Sequence, residues 1–315
     1  MLSSYIFLPH FNSKYYIIDK VHIGIGKSVV IYVLGFVAFL SDLPYRLDNF
    51  MGGLTDMKGC IVYFSATGNT EYVAKAIKDE FSNNNISCDL YEVSKKSGFE
   101  DKYDFYVFGA PIYAEMFPAF YTEWIKKHIT KGNGRKCIVF STQANNIACG
   151  PASLAKDLKK IGFEVVIEDC VLMPNNYYIV MFRKFTEQQI NDALKKSKEH
   201  AKIIVDTFIK NKTYFANAKG REIWAKPVFK LFMLWSKKWA KKSLIADMSK
   251  CTRCELCQKQ CPVHNIKVNK DSITFFENCV SCQRCVHKCP ANAFLYKNKA
   301  IDQYKLPKEV HLKKI

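Results

Sequence analysis

Acidic residues are scarce in this 315-residue chain: 29 Asp and Glu stand against 47 Lys and Arg, a formal charge of +18. An excess of that size favours an acidic protein partner, nucleic acid or an anionic membrane surface. Long apolar runs are missing as well. The stretch SVVIYVLGFVAFL at 28–40 falls short of the roughly 20 residues a spanning helix needs. It is followed by SDLPYR, which offers no small-residue cleavage site for a secretion signal. There is no G-x-G-x-x-G after a strand, which argues against direct use of a nicotinamide cofactor. The GKS at 26–28 fails as a phosphate loop because Val21 stands where that motif needs its first glycine. None of the seven histidines has a partner at metal-ligand spacing, and no nucleic-acid-binding motif accompanies the basic charge.

Cysteine, by contrast, is abundant. Of thirteen cysteines, eight fall into two tight runs, CTRCELCQKQCP at 251–262 and CVSCQRCVHKCP at 279–290. A disulfide scaffold would spread them more evenly, so the pattern reads as metal ligation in a reducing cytoplasm. Cys60, Cys88, Cys137, Cys149 and Cys170 stand singly and read as small core hydrophobes.

From Cys60 onward, strands alternate with helices. CIVYFS (60–65), ISCDLYEV (86–93), FYVFGAP (105–111), KCIVFST (136–142) and FEVVIEDCVLMP (163–174) are the strands. The intervening helices carry apolar faces such as Val73, Ala74, Ile77 and Phe81, or Leu154, Leu158 and Ile161. Thr186 and Gln189 form a capping box for a long helix. Strands apolar on both faces, separated by helices, specify an α/β fold with a doubly wound five-stranded parallel sheet.

SATGNT, residues 65–70, lies between the first strand and the first helix. Hydroxyls of Ser65, Thr67 and Thr70, the Asn69 amide and the flexible Gly68 suit an anion at the positive helix end. The loop contains no lysine or arginine, which separates it from a nucleotide-triphosphate loop and fits a terminal phosphomonoester. Here the chain resembles the flavodoxin family, from about Lys58 to Ile209. The resemblance implies the strand order 2-1-3-4-5 and flavin mononucleotide (FMN) as cofactor, with its phosphate on these residues. It places the ring between GAPIYAEMFP (109–118) and STQANNIACGP (141–151), at the carboxyl ends of the strands. Pro111, Tyr113, Thr142, Asn145 and Gly150 are the implied ring contacts, with Tyr113 stacking. A departure is the lack of glycine between Pro111 and Pro118, where flavodoxins often flip a peptide toward the reduced ring. That absence biases the flavin toward two-electron chemistry.

The spacing C-x2-C-x2-C-x3-C-P, found twice, resembles bacterial two-cluster ferredoxins. It implies two [4Fe-4S] clusters, one on Cys251, Cys254, Cys257 and Cys289, the other on Cys279, Cys282, Cys285 and Cys261. Zinc is the competing metal. A shift of 28 residues maps the first run onto the second, Pro262 onto Pro290 and Ile266 onto Phe294, so a pseudo-two-fold α+β domain is expected. With both cofactors bound, the working charge falls to roughly +12.

Together the halves resemble flavodoxin–ferredoxin fusion proteins. That implies a cytoplasmic electron carrier relaying electrons between two clusters and FMN. The alternatives are an FMN oxidoreductase reducing a small substrate, and a redox sensor. No acid–base cluster accompanies the ring loops, where Glu115 is the nearby carboxylate, which favours the carrier. Expected partners are redox proteins acidic at the contact surface, without nucleic acid.

The expected divisions are 1–56, 57–210, 211–245, 246–300 and a tail at 301–315. Residues 1–56 are expected to be a non-native or disordered extension, with translation beginning at Met57 and Gly52-Gly53 encoded by a purine-rich ribosome-binding site just upstream of it. The basic segment after 210 holds three of the four tryptophans. Trp224, Val228, Leu231, Phe232, Trp235 and Trp239 share one helical face there. It is read as a linker helix whose Trp224, Trp235 and Trp239 seat one half on the other. Peripheral attachment to an anionic membrane is the alternative.

Overall fold

The computed structural model describes residues 57–94, 98–144, 148–216 and 221–307, the Glu222 side chain excepted. The 1–56 extension, Asn145 and residues 308–315 lie outside these. The first half is built from β1 (Lys58–Tyr63), α1 (Asn69–Asn83), β2 (Ser87–Glu92), β3 (Phe105–Pro111), α2 (Ala119–His128), β4 (Lys136–Gln143), α3 (Gly150–Lys160), β5 (Glu164–Leu172) and α4 (Glu187–Ile209). Alternate strand residues leave the sheet on opposite faces. Ile61, Val107 and Ile138 pack with α1 and α4, whereas Val62, Phe108 and Val139 pack with α2 and α3. Thr186 caps α4 through the reciprocal bond with Gln189.

The sheet has six strands rather than five, in the order β2-β1-β3-β4-β5-β6. The extra strand, β6 (Tyr214–Phe215), comes from the segment expected to be linker and lies parallel to β5. Two residues are too few to show a strand period in a sequence. Their role is to cover the outer edge of β5, where Ala216 N–H also donates to the Glu168 carbonyl at 2.8 Å.

Helix α5 (Glu222–Ser243) leads into β7 (Leu244–Ala246), α6 (Leu256–Lys259), β8 (Ile266–Val268), β9 (Ile273–Phe275), α7 (Arg284–His287), β10 (Phe294–Tyr296) and β11 (Lys299–Ala300). β7 pairs with β10, so the second sheet begins inside the segment read as linker. The 28-residue repeat extends to the backbone. Left-handed residues occur at Arg253, Glu255 and His264, and again at Ser281, Gln283 and Asn292. Each is its counterpart shifted by 28.

Helix α5 straddles both halves, but not with the expected face. Ala225 packs on Cys149 and Met116, while Trp239 and Ala240 enter the core of the second half. Trp224 and Trp235 stand outward, 74% and 45% exposed. The small residues Ala225, Ser236 and Ala240 let the helix sit close, which the bulk of the tryptophan face would prevent. Trp239 alone of the three is core, stacked on Tyr296 at 6.1 Å.

Trp239→Ala is expected to cost about 3–5 kcal/mol, and Trp224→Ala less than about 0.5 kcal/mol. Chemical denaturation of the two variants checks this. Trp239→Phe should fall between them, since it removes a buried indole N–H that has no acceptor among the described residues.

Candidate functional site

Residues Ser65–Thr70 turn from β1 into α1, with Gly68 at the N-cap in a left-handed conformation (φ 117°). Ser65, Ala66, Thr67, Asn69 and Thr70 are all buried. Yet the backbone N–H groups of Ala66, Thr67, Asn69 and Thr70 make no hydrogen bond to the described residues. Buried N–H groups at a helix N-terminus require an acceptor, and an anion supplies it. A phosphate fits this loop on that ground.

The side chains of the loop are held from elsewhere. Asn69 donates to the Pro174 carbonyl at 2.8 Å and accepts from the Tyr304 hydroxyl at 2.6 Å. Thr67 Oγ1 accepts from Asn176, and Thr70 shares a 2.7 Å hydrogen bond with Thr142. A Cβ on Gly68 would lie 2.8 Å from Leu306 Cδ1 and 4.0 Å from Lys288 Nζ. Lys288 thus brings positive charge near a loop that has none of its own. Asn176, Lys288, Tyr304 and Leu306 were not found in the sequence, because they lie over a hundred residues from the loop and nothing in their local pattern points to it.

The two ring loops meet at Gly150, where a Cβ would stand 2.7 Å from Ile112 and 3.0 Å from the Phe117 nitrogen. Gly150 therefore permits close approach of the loops. Pro111 ends β3 beside Thr142. Tyr113 and Met116 close a tight turn, with N–H to carbonyl distances of 2.8 and 3.1 Å. Its central residues, Ala114 and Glu115, have φ of 45° and 75°. The turn adopts a conformation suited to glycine without having one, at about 1–2 kcal/mol per residue. Arg221 holds Glu115 at 2.7 Å. The Tyr113 hydroxyl is buried with no partner among the described residues, and burial keeps it protonated.

Cys251, Cys254, Cys257 and Cys289 line one hollow, with Leu256, Val268, Ile273 and Phe294 around them. Cys261, Cys279, Cys282 and Cys285 form the second group. Burial raises the Cys285 thiol well above its usual pKa, and the charges of Cys282, Cys279 and Cys261 add to that. Burial likewise pushes Cys257 and Cys279 up to about 11 and Cys282 up to about 12. Such thiols stay neutral unless a bound cation ionises them. Cys254 differs: it is exposed, and the Leu256 N–H lowers its pKa. Backbone N–H groups of Asn265, Ser281 and Ala293 donate to Cys261, Cys279 and Cys289 at 3.2–3.4 Å. Among the described residues no three His, Cys, Asp or Glu side chains converge as a single metal ion would need.

A family model for the flavodoxin domain matches residues 60–159, and one for the 4Fe-4S dicluster domain matches residues 250–294. This chain joins a flavodoxin domain to a 4Fe-4S dicluster domain. The first implies FMN and the second iron–sulfur clusters, and the pairing indicates a redox function in electron transfer. Among solved structures, an archaeal flavodoxin is 17% identical over 49% of this chain and 99% of its own, with a TM-score of 0.38. Flavodoxin 2 from Bacillus cereus is 20% identical over 48% and 99%, with a TM-score of 0.35. The Flv1 flavodiiron core from Synechocystis sp. PCC6803 is 16% identical over 59% of this chain and 42% of its own, at 0.36. No curated protein matches the sequence. No described helix is long and apolar enough to cross a membrane.

The flavodoxin and dicluster domains meet along a dense seam. Arg284, between Cys282 and Cys285 and almost wholly buried, pairs with Glu92 at 2.9 Å. It also donates to the Ser65 carbonyl and Ser94 Oγ, both at 2.6 Å, and to the Gln260 carbonyl at 3.0 Å. Its guanidinium lies 4.8 Å from the centre of the Phe64 ring. Cys282 and Tyr113 both pack on the flavodoxin core. His287 is buried: Nδ1 accepts from Tyr304 N–H at 2.9 Å and Nε2 faces the Asn176 carbonyl at 3.1 Å. Burial lowers its pKa to about 4, so the ring is neutral with its proton on Nε2.

Tyr304→Phe removes one hydrogen bond to the phosphate loop and should weaken FMN binding about fivefold, the equivalent of about 1 kcal/mol. Gly68→Ala, strained by its φ and by Leu306, should weaken it more. Fluorescence titration of the apoprotein with FMN measures both.

Proposed function

We propose that this protein is an electron relay in which two [4Fe-4S] clusters connect an outside redox protein to FMN. The observation that carries the proposal is the seam: Cys282, of the second cysteine group, packs on the same flavodoxin core cluster as Tyr113 of the ring loop. Cys251, Cys254, Cys257 and Cys289 would hold the outer cluster, and Cys261, Cys279, Cys282 and Cys285 the inner one. Ser65–Thr70 would hold the FMN phosphate, and the loops containing Pro111, Tyr113, Thr142 and Gly150 would flank the ring. Bound clusters supply one-electron steps, which a bound flavin couples to two-electron chemistry.

The chain's own residues do the positioning. The first cysteine group faces outward, with Cys254 exposed and Arg253 on the rim of its hollow. This end suits an acidic redox partner. In the second group Cys261, Cys279 and Cys285 pack in the dicluster core, and Cys282 packs on the flavodoxin core. Backbone N–H groups on Cys261, Cys279 and Cys289 stabilise thiolate charge and so tune cluster potential. In the ring loops, Glu115 is committed to Arg221, an arrangement that favours carriage over acid–base turnover of a substrate.

Anaerobically purified full-length protein should contain about eight iron and one FMN per chain and accept about four electrons. Cys254→Ala should lose the outer cluster and keep FMN. Two zinc ions per chain, or clusters with no flavin, would contradict the proposal.

A further inference from the structure

The outward face of α5 has no role in the relay, and its chemistry is distinctive. Trp224, Val228, Leu231 and Trp235 follow one another at helical spacing, with Ile223 and Leu234 beside them. All six are exposed, from 45% for Trp235 to 76% for Ile223. The ridge from Trp224 to Trp235 runs about 17 Å along the helix. A soluble surface scatters such residues singly; a contiguous stripe of them marks an interaction surface.

The opposite face of the helix is already used. Ala225 lies against Met116 and Cys149, and Phe232 lies 6.4 Å from Tyr113. Ser236 donates to the Cys279 carbonyl at 3.2 Å, and Trp239 and Ala240 are core. The apolar stripe therefore cannot turn inward without breaking the seam.

Charge identifies what the stripe meets. Lys226, Lys230 and Lys237 line its free flank, and Lys238, Lys241 and Lys242 follow at its C-terminal end. Glu277 neutralises part of the second set, lying 3.5 Å from Lys238 and 2.9 Å from Lys241. Lys226, Lys230, Lys237 and Lys242 make no ion pair with the described residues. A helix lying in the surface plane, with Trp and Leu below and lysines at headgroup level, is the arrangement that binds anionic lipid. We infer that α5 docks this protein peripherally on an anionic membrane surface, with Trp224, Leu231 and Trp235 inserted and Lys226, Lys230 and Lys237 on lipid phosphates. The helix bridges the flavodoxin and dicluster domains, so docking holds the whole relay at the membrane in one orientation.

The test uses the full chain with vesicles of phosphatidylcholine alone and of phosphatidylcholine mixed with phosphatidylglycerol. Co-sedimentation is expected only with the anionic vesicles, and should fall as salt is raised. Bromine-labelled acyl chains should quench tryptophan fluorescence in wild type but much less in a Trp224→Ser/Trp235→Ser variant. Leu231→Ser and Lys226→Glu/Lys230→Glu should each weaken partitioning at least tenfold while leaving the denaturation midpoint unchanged. No binding to anionic vesicles would overturn the inference, as would binding that survives all these substitutions. A concentration-dependent dimer abolished by Trp224→Ser and Leu231→Ser would also overturn it, assigning the face to a second copy of this chain.

Discussion

The buried pair between Arg284 and Glu92 is the constraint on which the rest depends. Both side chains are nearly inaccessible, at 3% and 4%. Removing either one would strand a buried charge, at about 3–5 kcal/mol. Arg284 does more than pair. Its remaining donors reach Ser65, Ser94 and Gln260, so one guanidinium ties the phosphate loop, the end of β2 and the first cysteine run together. Its neighbours in the chain are cysteines of the second group. Fixing the guanidinium therefore fixes the cysteines against the flavin loops.

The C-terminal tail reinforces the seam from the other side. Gln303 donates to the carbonyls of Val286 and Cys289, both at 2.8 Å. The next residue, Tyr304, joins His287 to Asn69. Leu306 then covers Gly68. A phosphate loop without a cation of its own is in this way enclosed by residues of the dicluster half. The two domains complete each other, which distinguishes this arrangement from two carriers joined by a flexible tether.

Much of this was legible in the sequence because it is local. Strands that bury both faces and helices with one apolar side declare themselves by period, and SATGNT and the two cysteine runs are contiguous motifs. The repeat of 28 residues was read from the cysteine runs, and the structure extends it to the left-handed positions. What escaped was non-local or small. β6 has two residues and no pattern. Tyr304 and Asn176 reach the phosphate loop only once the chain has folded. The α5 error has a physical cause: sequence periodicity finds the most apolar arc of a helix, and in α5 that arc faces solvent while Ala225, Ser236 and Ala240 are buried. The missing loop glycine was legible as well, but the backbone that the loop adopts without it was not. Ala114 and Glu115 take left-handed conformations regardless, held by the Tyr113–Met116 turn and by Arg221.

The central claim is that electrons cross the Arg284 seam within one molecule. Rapid mixing of the holoprotein with a limiting one-electron reductant, followed at iron–sulfur and flavin wavelengths, tests it most directly. The account predicts a flavin phase whose rate is unchanged over a tenfold range of protein concentration and is lost in Cys282→Ala. A rate that rises in proportion to concentration would contradict it, because electrons would then be passing between molecules rather than across the seam.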